Sequence, residues 1–407
     1  MSEQLIIVIL VTVVALGFDF TNGFHDTGNA MATSIATGAL PPKIAVALSA
    51  VLNLVGAFLS VTVAVTVTNA VVNIQDSNGD PLPAYTADHG QALLMIILAG
   101  LVGGILWNLS TWLLGLPSSS SHALFGGLIG ATVAGIGWGG VHWTGDSTKL
   151  DGVLGKVVLP AVVSPVIAAL VSAVGTFLIF RVTRRVSSGL NDRGFRLGQI
   201  GTASLVSLAH GTNDAQKTMG VITLALIGYG SWHHTTSIPL WVKLACALAI
   251  ATGTYVGGWR VIRTLGKGLV EIEARQGMAA EGASAAVILA SSQLGFALST
   301  THVATGSILG SGIGKPGASV RWGIAGRMVV AWVITLPMAG LVGALTWWIG
   351  DVVGGGLPGA VLIVVILVAA ASFIFFRAHH QPVTSDNVND EWQGAPSAGG
   401  TRQPVAA

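Results

Sequence analysis

Gly23-Phe-His-Asp-Thr-Gly-Asn-Ala30 interrupts an apolar run that starts at Leu5, and Gly211-Thr-Asn-Asp-Ala-Gln-Lys-Thr218 repeats its pattern in the second half of the chain. Laid over each other from their glycines, Asp26 falls on Asp214, His25 on Asn213, Asn29 on Lys217 and Met31 on Met219. Ionisable and amide side chains at membrane depth are expensive, so a duplicated set marks a functional site. An acidic, glycine-flanked break in each of two halves is the pattern of a transport site at a repeat interface.

The rest of the chain supplies the membrane. Of its 407 residues 52% are hydrophobic and only 9% charged, against about 25% charged in a soluble domain, and the mean hydropathy is +0.74. This predicts an all-α polytopic, multi-pass membrane protein, with the lipid bilayer as its first partner. A net charge of +2, spread over short connections, excludes a nucleic-acid surface. Cys246 is the sole cysteine and lies in the apolar run from Leu244 to Ile250. It excludes a disulfide framework or a cysteine metal centre within one chain and reads as a small packed hydrophobe. Met1-Ser-Glu-Gln-Leu5 lacks the positive start of a cleaved signal, so the first apolar stretch reads as a retained helix.

Apolar stretches long enough to span, about 20 residues each, begin near Leu5, Ile44, Leu93, Val157, Trp241, Met328 and Val361. Shorter or polar-interrupted segments at 24–40, 118–140, 198–230 and 283–313 should line a wet cavity, because irregular backbone at membrane depth must be satisfied there. Of these, 118–140 has room to cross fully whereas 283–313 reads as returning to its own side; inverted symmetry wants the two to match, so one of these two assignments is expected to fail. Roughly 9–12 membrane segments follow, as two inverted repeats with broken helices and re-entrant hairpins. Arg181, Arg184, Arg185, Arg193 and Arg196 crowd one connection and Arg260, Arg263, Lys267 and Arg275 another, so both are expected in the cytoplasm. The connection 73–90, with Asp76, Asp80 and Asp88 and no Lys or Arg, is expected outside. The expected organisation is a first repeat at 1–180, a basic cytoplasmic connection at 181–196, a second repeat at 197–376 and a disordered polar tail at 377–407. His379 and His380 read as a solvated pair rather than metal ligands.

A second duplication is sharper than the first. Pro117-Ser-Ser-Ser-Ser-His122 is echoed by Leu298-Ser-Thr-Thr-His302, so that Ser119 meets Ser299, Ser120 meets Thr300 and Ser121 meets Thr301. Gly126 then meets Gly306, and Gly130 meets Gly310. Hydroxyls at a helix start, with free backbone N–H groups and the positive end of the helix dipole, suit a tetrahedral oxyanion. Two such ends near the membrane midplane could wrap an anion without an arginine. Asp26 and Asp214 would repel that anion unless cations or protons enter with it, which is the logic of a symporter. Asn22, Asn29 and Asn213 could offer oxygens to a hard cation, His25 could carry a proton, and Lys217 replaces a cation or holds Asp214. His210 reads as a packed hydrogen-bonding residue.

At these residues the chain resembles the inorganic phosphate transporter family known as PiT, whose signatures read approximately G-x-N-D-x-x-N-A in each half. The resemblance covers nearly the whole chain to about residue 376, and all four motifs keep its order. It implies uptake of inorganic phosphate with protons, sodium or as a metal–phosphate complex, no enzyme activity, no cofactor beyond the co-transported cation, and raises a homodimer. Residue by residue it implies phosphate contacts from Asn29, Ser119, Ser120, Ser121, Ser299, Thr300 and Thr301, and cation or proton coupling through His25, Asp26, Asn213, Asp214 and Lys217. No metal ligand set is implied. His25 and Lys217 stand where many members have Asn, which resembles the bacterial low-affinity branch and moves the expectation away from sodium.

Other readings remain: a carrier of another tetrahedral oxyanion such as sulfate, a passive anion channel, and, distantly, an intramembrane hydrolase built on Ser121, His122 and Asp26. Adjacent residues on a helix point about 100° apart, and a hydrolase has no use for a duplicated hydroxyl motif, so the hydrolase is the weakest.

Overall fold

The computed structural model describes residues 2–70, 72, 87–145, 151–185, 188–234 and 236–390. The acidic connection at 73–86 and the tail from 391 lie outside the described residues. Thirteen α-helices are described: α1 Glu3–Ala36, α2 Pro42–Gly56, α3 Thr62–Ala70, α4 Gln91–Leu113, α5 Ser120–Gly135, α6 Leu159–Val182, α7 Ser188–Tyr229, α8 Leu240–Val256, α9 Trp259–Arg263, α10 Ala274–Gln293, α11 Thr300–Gly314, α12 Trp322–Val352 and α13 Gly356–His379. No β-strand occurs among the described residues, only isolated bridges. Five helices (α1, α4, α12, α13 and α6 with its preceding turn) are long and apolar enough to cross a membrane, and α8 with α9, bent by 61° at Gly257-Gly258, makes a sixth. The outward faces of α6, α12 and α13 carry Val162, Leu170, Val333, Leu341, Val365 and Phe373, as lipid contact requires.

Packing is reciprocal between the two halves. α1 packs on α8 while α7 packs on α2, and α5 packs on α12 while α11 packs on α6. The same exchange relates α4–α5 to α10–α11, α1–α4 to α7–α10, and α3–α7 to α9–α1. Lipid is as apolar as Leu, so helices in it associate through close backbone approach at small residues. A Cβ on Gly23 would strike the Ile250 carbonyl, and one on Gly211 the Asn53 carbonyl. Likewise Gly126 faces the Leu336 carbonyl and Gly306 that of Pro165, while Gly130 and Gly310 face the carbonyls of Gly340 and Ala169. The glycines paired by sequence therefore hold equivalent contacts. Gly126→Val and Gly306→Val should each destabilise the detergent-solubilised protein, by at least the roughly 1–3 kcal/mol typical of overpacking. Thermal unfolding checks this, and a Gly306→Val protein that melts like the parent would refute the close contact.

Two expectations about chain breaks are corrected. α1 and α7 run unbroken through Gly23 and Gly211, because tertiary partners satisfy the polar side chains there and the glycines serve helix contact. The segment 118–140 does not cross: α5 has 16 residues, about 24 Å of helix, short of the roughly 30 Å apolar core. It forms a hairpin with α4, as α11 does with α10. Both tips turn on a left-handed glycine, Gly115 at φ 64 and Gly295 at φ 70. In both, the following N–H bonds back into the first arm, Leu116 to the Thr111 carbonyl and Phe296 to that of Ser291.

The tail is also corrected as far as Asp390. Arg377 and His379 belong to α13, Val388 is buried, and Arg263 donates to the Asn387 carbonyl at 2.7 Å. Arg263, the last residue of α9, thus holds a segment whose polar composition alone suggests disorder.

Candidate substrate site

Both hydroxyl motifs form helix N-termini that meet beside α1 and α7. Ser119 and Ser299 are the N-caps of α5 and α11, with φ, ψ of −89°, 110° and −86°, 112°. Their hydroxyl oxygens accept from the His122 and His302 N–H groups at 3.1 and 3.2 Å. The next hydroxyl in each motif turns to an aspartate. Ser120 donates to Asp26 at 3.0 Å, and Thr300 donates to Asp214 at 2.8 Å while standing 3.4 Å from Asp26. One hydroxyl therefore lies between two buried carboxylates.

The third hydroxyl in each motif is bound crosswise. Asn29 of α1 donates to Thr301 at 3.0 Å, and Lys217 of α7 donates to Ser121 at 2.6 Å and to the Leu298 carbonyl at 2.9 Å. Asn29 and Lys217 are the paired positions of the acidic motifs, and Ser121 and Thr301 those of the hydroxyl motifs. All four duplicated segments thus converge on one place.

Charge there is only part-balanced. Asp214 forms an ion pair with Lys217, and His210 Nε2 stands 2.9 Å from its other oxygen, off the line of a hydrogen bond. His25 Nδ1 meets Asp26 at 2.6 Å. Asp26, His210 and Asp214 bring one ligand atom each within 4.8 Å of one another, so this trio is the group best placed to hold a metal ion. Two carboxylates at that separation repel by about 3–4 kcal/mol at an effective dielectric of about 20. Lys217 offsets one of them; the other needs a histidine proton or an incoming cation.

Asn213 is directed elsewhere: its amide donates to Ser292 at 2.9 Å. The oxygens of Asn29 and Asn213 are buried without a hydrogen-bond partner. Four further polar groups are not legible in the sequence as site neighbours. Ser118 lies 3.5 Å from His25 Nε2. His210 Nδ1 lies 3.1 Å from Asn53. Buried Glu281 accepts from Thr33 at 2.5 Å, Ser34 at 2.6 Å and Thr202 at 2.8 Å. Asp19 is the fourth, and its place seven residues before Asp26, two turns along the same helix face, is its one sequence signal. His302 is accounted for by a proline: Pro165 cannot donate to the Ala161 carbonyl, which bonds the His302 ring at 3.1 Å.

Residues 22–343 match the model of the phosphate transporter family PHO4. A Mycobacterium bovis protein described as a probable low-affinity inorganic phosphate transporter is 59% identical over 409 residues, covering 100% of this chain and 93% of that protein. A Bacillus subtilis protein of the same description is 40% identical, over 87% of this chain and all of its own length. A solved structure of a sodium-dependent phosphate transporter superposes with a TM-score of 0.70 at 21% identity, covering 85% of this chain and 99% of that one, which shows the fold. With two duplicated motifs in one buried site on a multi-pass helical frame, the chain belongs to the phosphate transporter family.

Proposed function

We propose that the protein imports inorganic phosphate across the plasma membrane together with a cation, by alternating access. The observation that carries this reading is the crosswise pairing of Asn29 with Thr301 and of Lys217 with Ser121 around two carboxylates. Phosphate would take the place of these internal partners, with Ser120, Ser121, Thr300 and Thr301 and the α5 and α11 N-termini as donors and Asn29 and Lys217 beside them. The hydroxyls of Ser119 and Ser299 cap the helices and keep a hydrogen to donate. The two halves, 1–180 and 197–376, would be inverted repeats joined by the basic connection 181–196 on the cytoplasmic side. One would rock against the other once a cation has offset the aspartates.

Two carboxylates facing the substrate favour phosphate over sulfate, since monohydrogen phosphate can donate a hydrogen bond to a carboxylate and sulfate has no proton to give. The fixed ammonium of Lys217, where its paired position in α1 has Asn29, favours protons or a metal–phosphate complex over sodium. Purified protein should bind labelled phosphate, with about a hundredfold excess of unlabelled phosphate displacing nearly all of it by mass action and the same excess of sulfate leaving most in place. Equal displacement by sulfate would assign a general oxyanion carrier.

A further inference from the structure

Among the described residues four carboxylates are buried, and three of them have partners. Asp26 has His25 and Ser120, Asp214 has Lys217 and Thr300, and Glu281 has Thr33, Ser34 and Thr202. Asp19 is fully buried in α1 and neither of its oxygens has a hydrogen-bond partner. Thr218 on α7 and Asn22, one turn on along α1, stand beside it, and Asp214 and Lys217 act on it electrostatically. Cys246 of α8 lies within its electrostatic reach. The Asn22 and Thr218 side-chain oxygens are likewise buried and unpartnered. The second half has no counterpart: in the register of the acidic motifs Asp19 falls on Ser207, whose hydroxyl is satisfied by Ser49 at 3.0 Å.

We propose that Asp19, Asn22 and Thr218 form a second cation site, two helical turns from Asp26, that takes a small hard cation, a proton or sodium, during transport. It rests on the coupled transport proposed above and adds a separate place for one cation. An isolated buried carboxylate costs several kcal/mol. Lys217 is committed to Asp214, so Asp19 needs its own counterion. The donor set of carboxylate, amide oxygen and hydroxyl is all oxygen, the chemistry of a hard cation, and a proton on Asp19 would find an acceptor in Asn22. Lying within electrostatic reach of Asp214, an occupied Asp19 site weakens the field that repels phosphate, which links its filling to substrate binding.

The test measures cations carried per phosphate in proteoliposomes, with labelled phosphate, radioactive sodium and a trapped pH dye read together. Asp19→Asn should lower the ratio by one while Asp19→Glu keeps the parental value; the dye or the sodium trace, whichever loses signal, identifies the ion. An unchanged ratio in Asp19→Asn overturns the proposal. Thr218→Val, which keeps the carboxylate, should raise the half-saturating cation concentration several-fold, and an unchanged value also counts against the site. If the parent protein itself carries no cation with phosphate, the coupled-transport reading falls instead.

Discussion

Asp26→Asn is expected to lower coupled phosphate uptake by about 100-fold or more while leaving the protein folded and inserted. Asn has the shape of Asp and can still accept from Ser120, which bonds Asp26 at 3.0 Å, so the local packing survives. What goes is the charge that balances an incoming cation, worth about 4 kcal/mol for a pair about 4 Å apart at an effective dielectric of about 20. Each 1.36 kcal/mol is about tenfold, so two to three decades of rate are at stake. Uptake into proteoliposomes, with elution in detergent as the control for folding, reads this directly. Uptake within about threefold of the parent would remove Asp26 from the coupling machinery.

Lys217→Met should have the largest effect on stability. Lys217 is 1% exposed and pairs with Asp214, itself fully buried. Removing one partner of a buried ion pair leaves the other charge uncompensated, at about 3–5 kcal/mol. The double variant Lys217→Met/Asp214→Asn should recover most of that loss, because neither partner of the pair is left charged. It should not recover transport, because the ammonium that reaches Ser121 at 2.6 Å and the carboxylate beside Thr300 are both gone. Thermal unfolding in detergent separates the cases: equal melting of single and double variants would show that the ion pair is not what holds this region.

The frame of the site is legible in the sequence because duplication repeats what packing requires. Gly126 and Gly306 pair by motif alignment alone, and both face a carbonyl of a long helix from the other half. Ser119 and Ser299 are legible as helix starts for the same reason. Partners across the halves are not legible, since a hydroxyl at 121 gives no sign that an ammonium at 217 will reach it. Nor does the sequence show that the Asn213 amide, next to Asp214, is bonded to Ser292. The tail to Asp390 misleads because its Asn387 is held by Arg263 at the end of α9. Asp19 reads in the sequence as one more acid near a motif; only its lack of a partner in the folded chain makes it notable.

Gradient-driven accumulation tests the coupled site most directly. Purified protein in sealed liposomes would be given labelled phosphate with proton, sodium and magnesium gradients imposed one at a time. Accumulation above the equilibrium level under at least one inward cation gradient, abolished when that gradient is collapsed, is the expected result. Phosphate flux that only equilibrates, at a rate indifferent to every cation gradient, would contradict it and describe a passive channel.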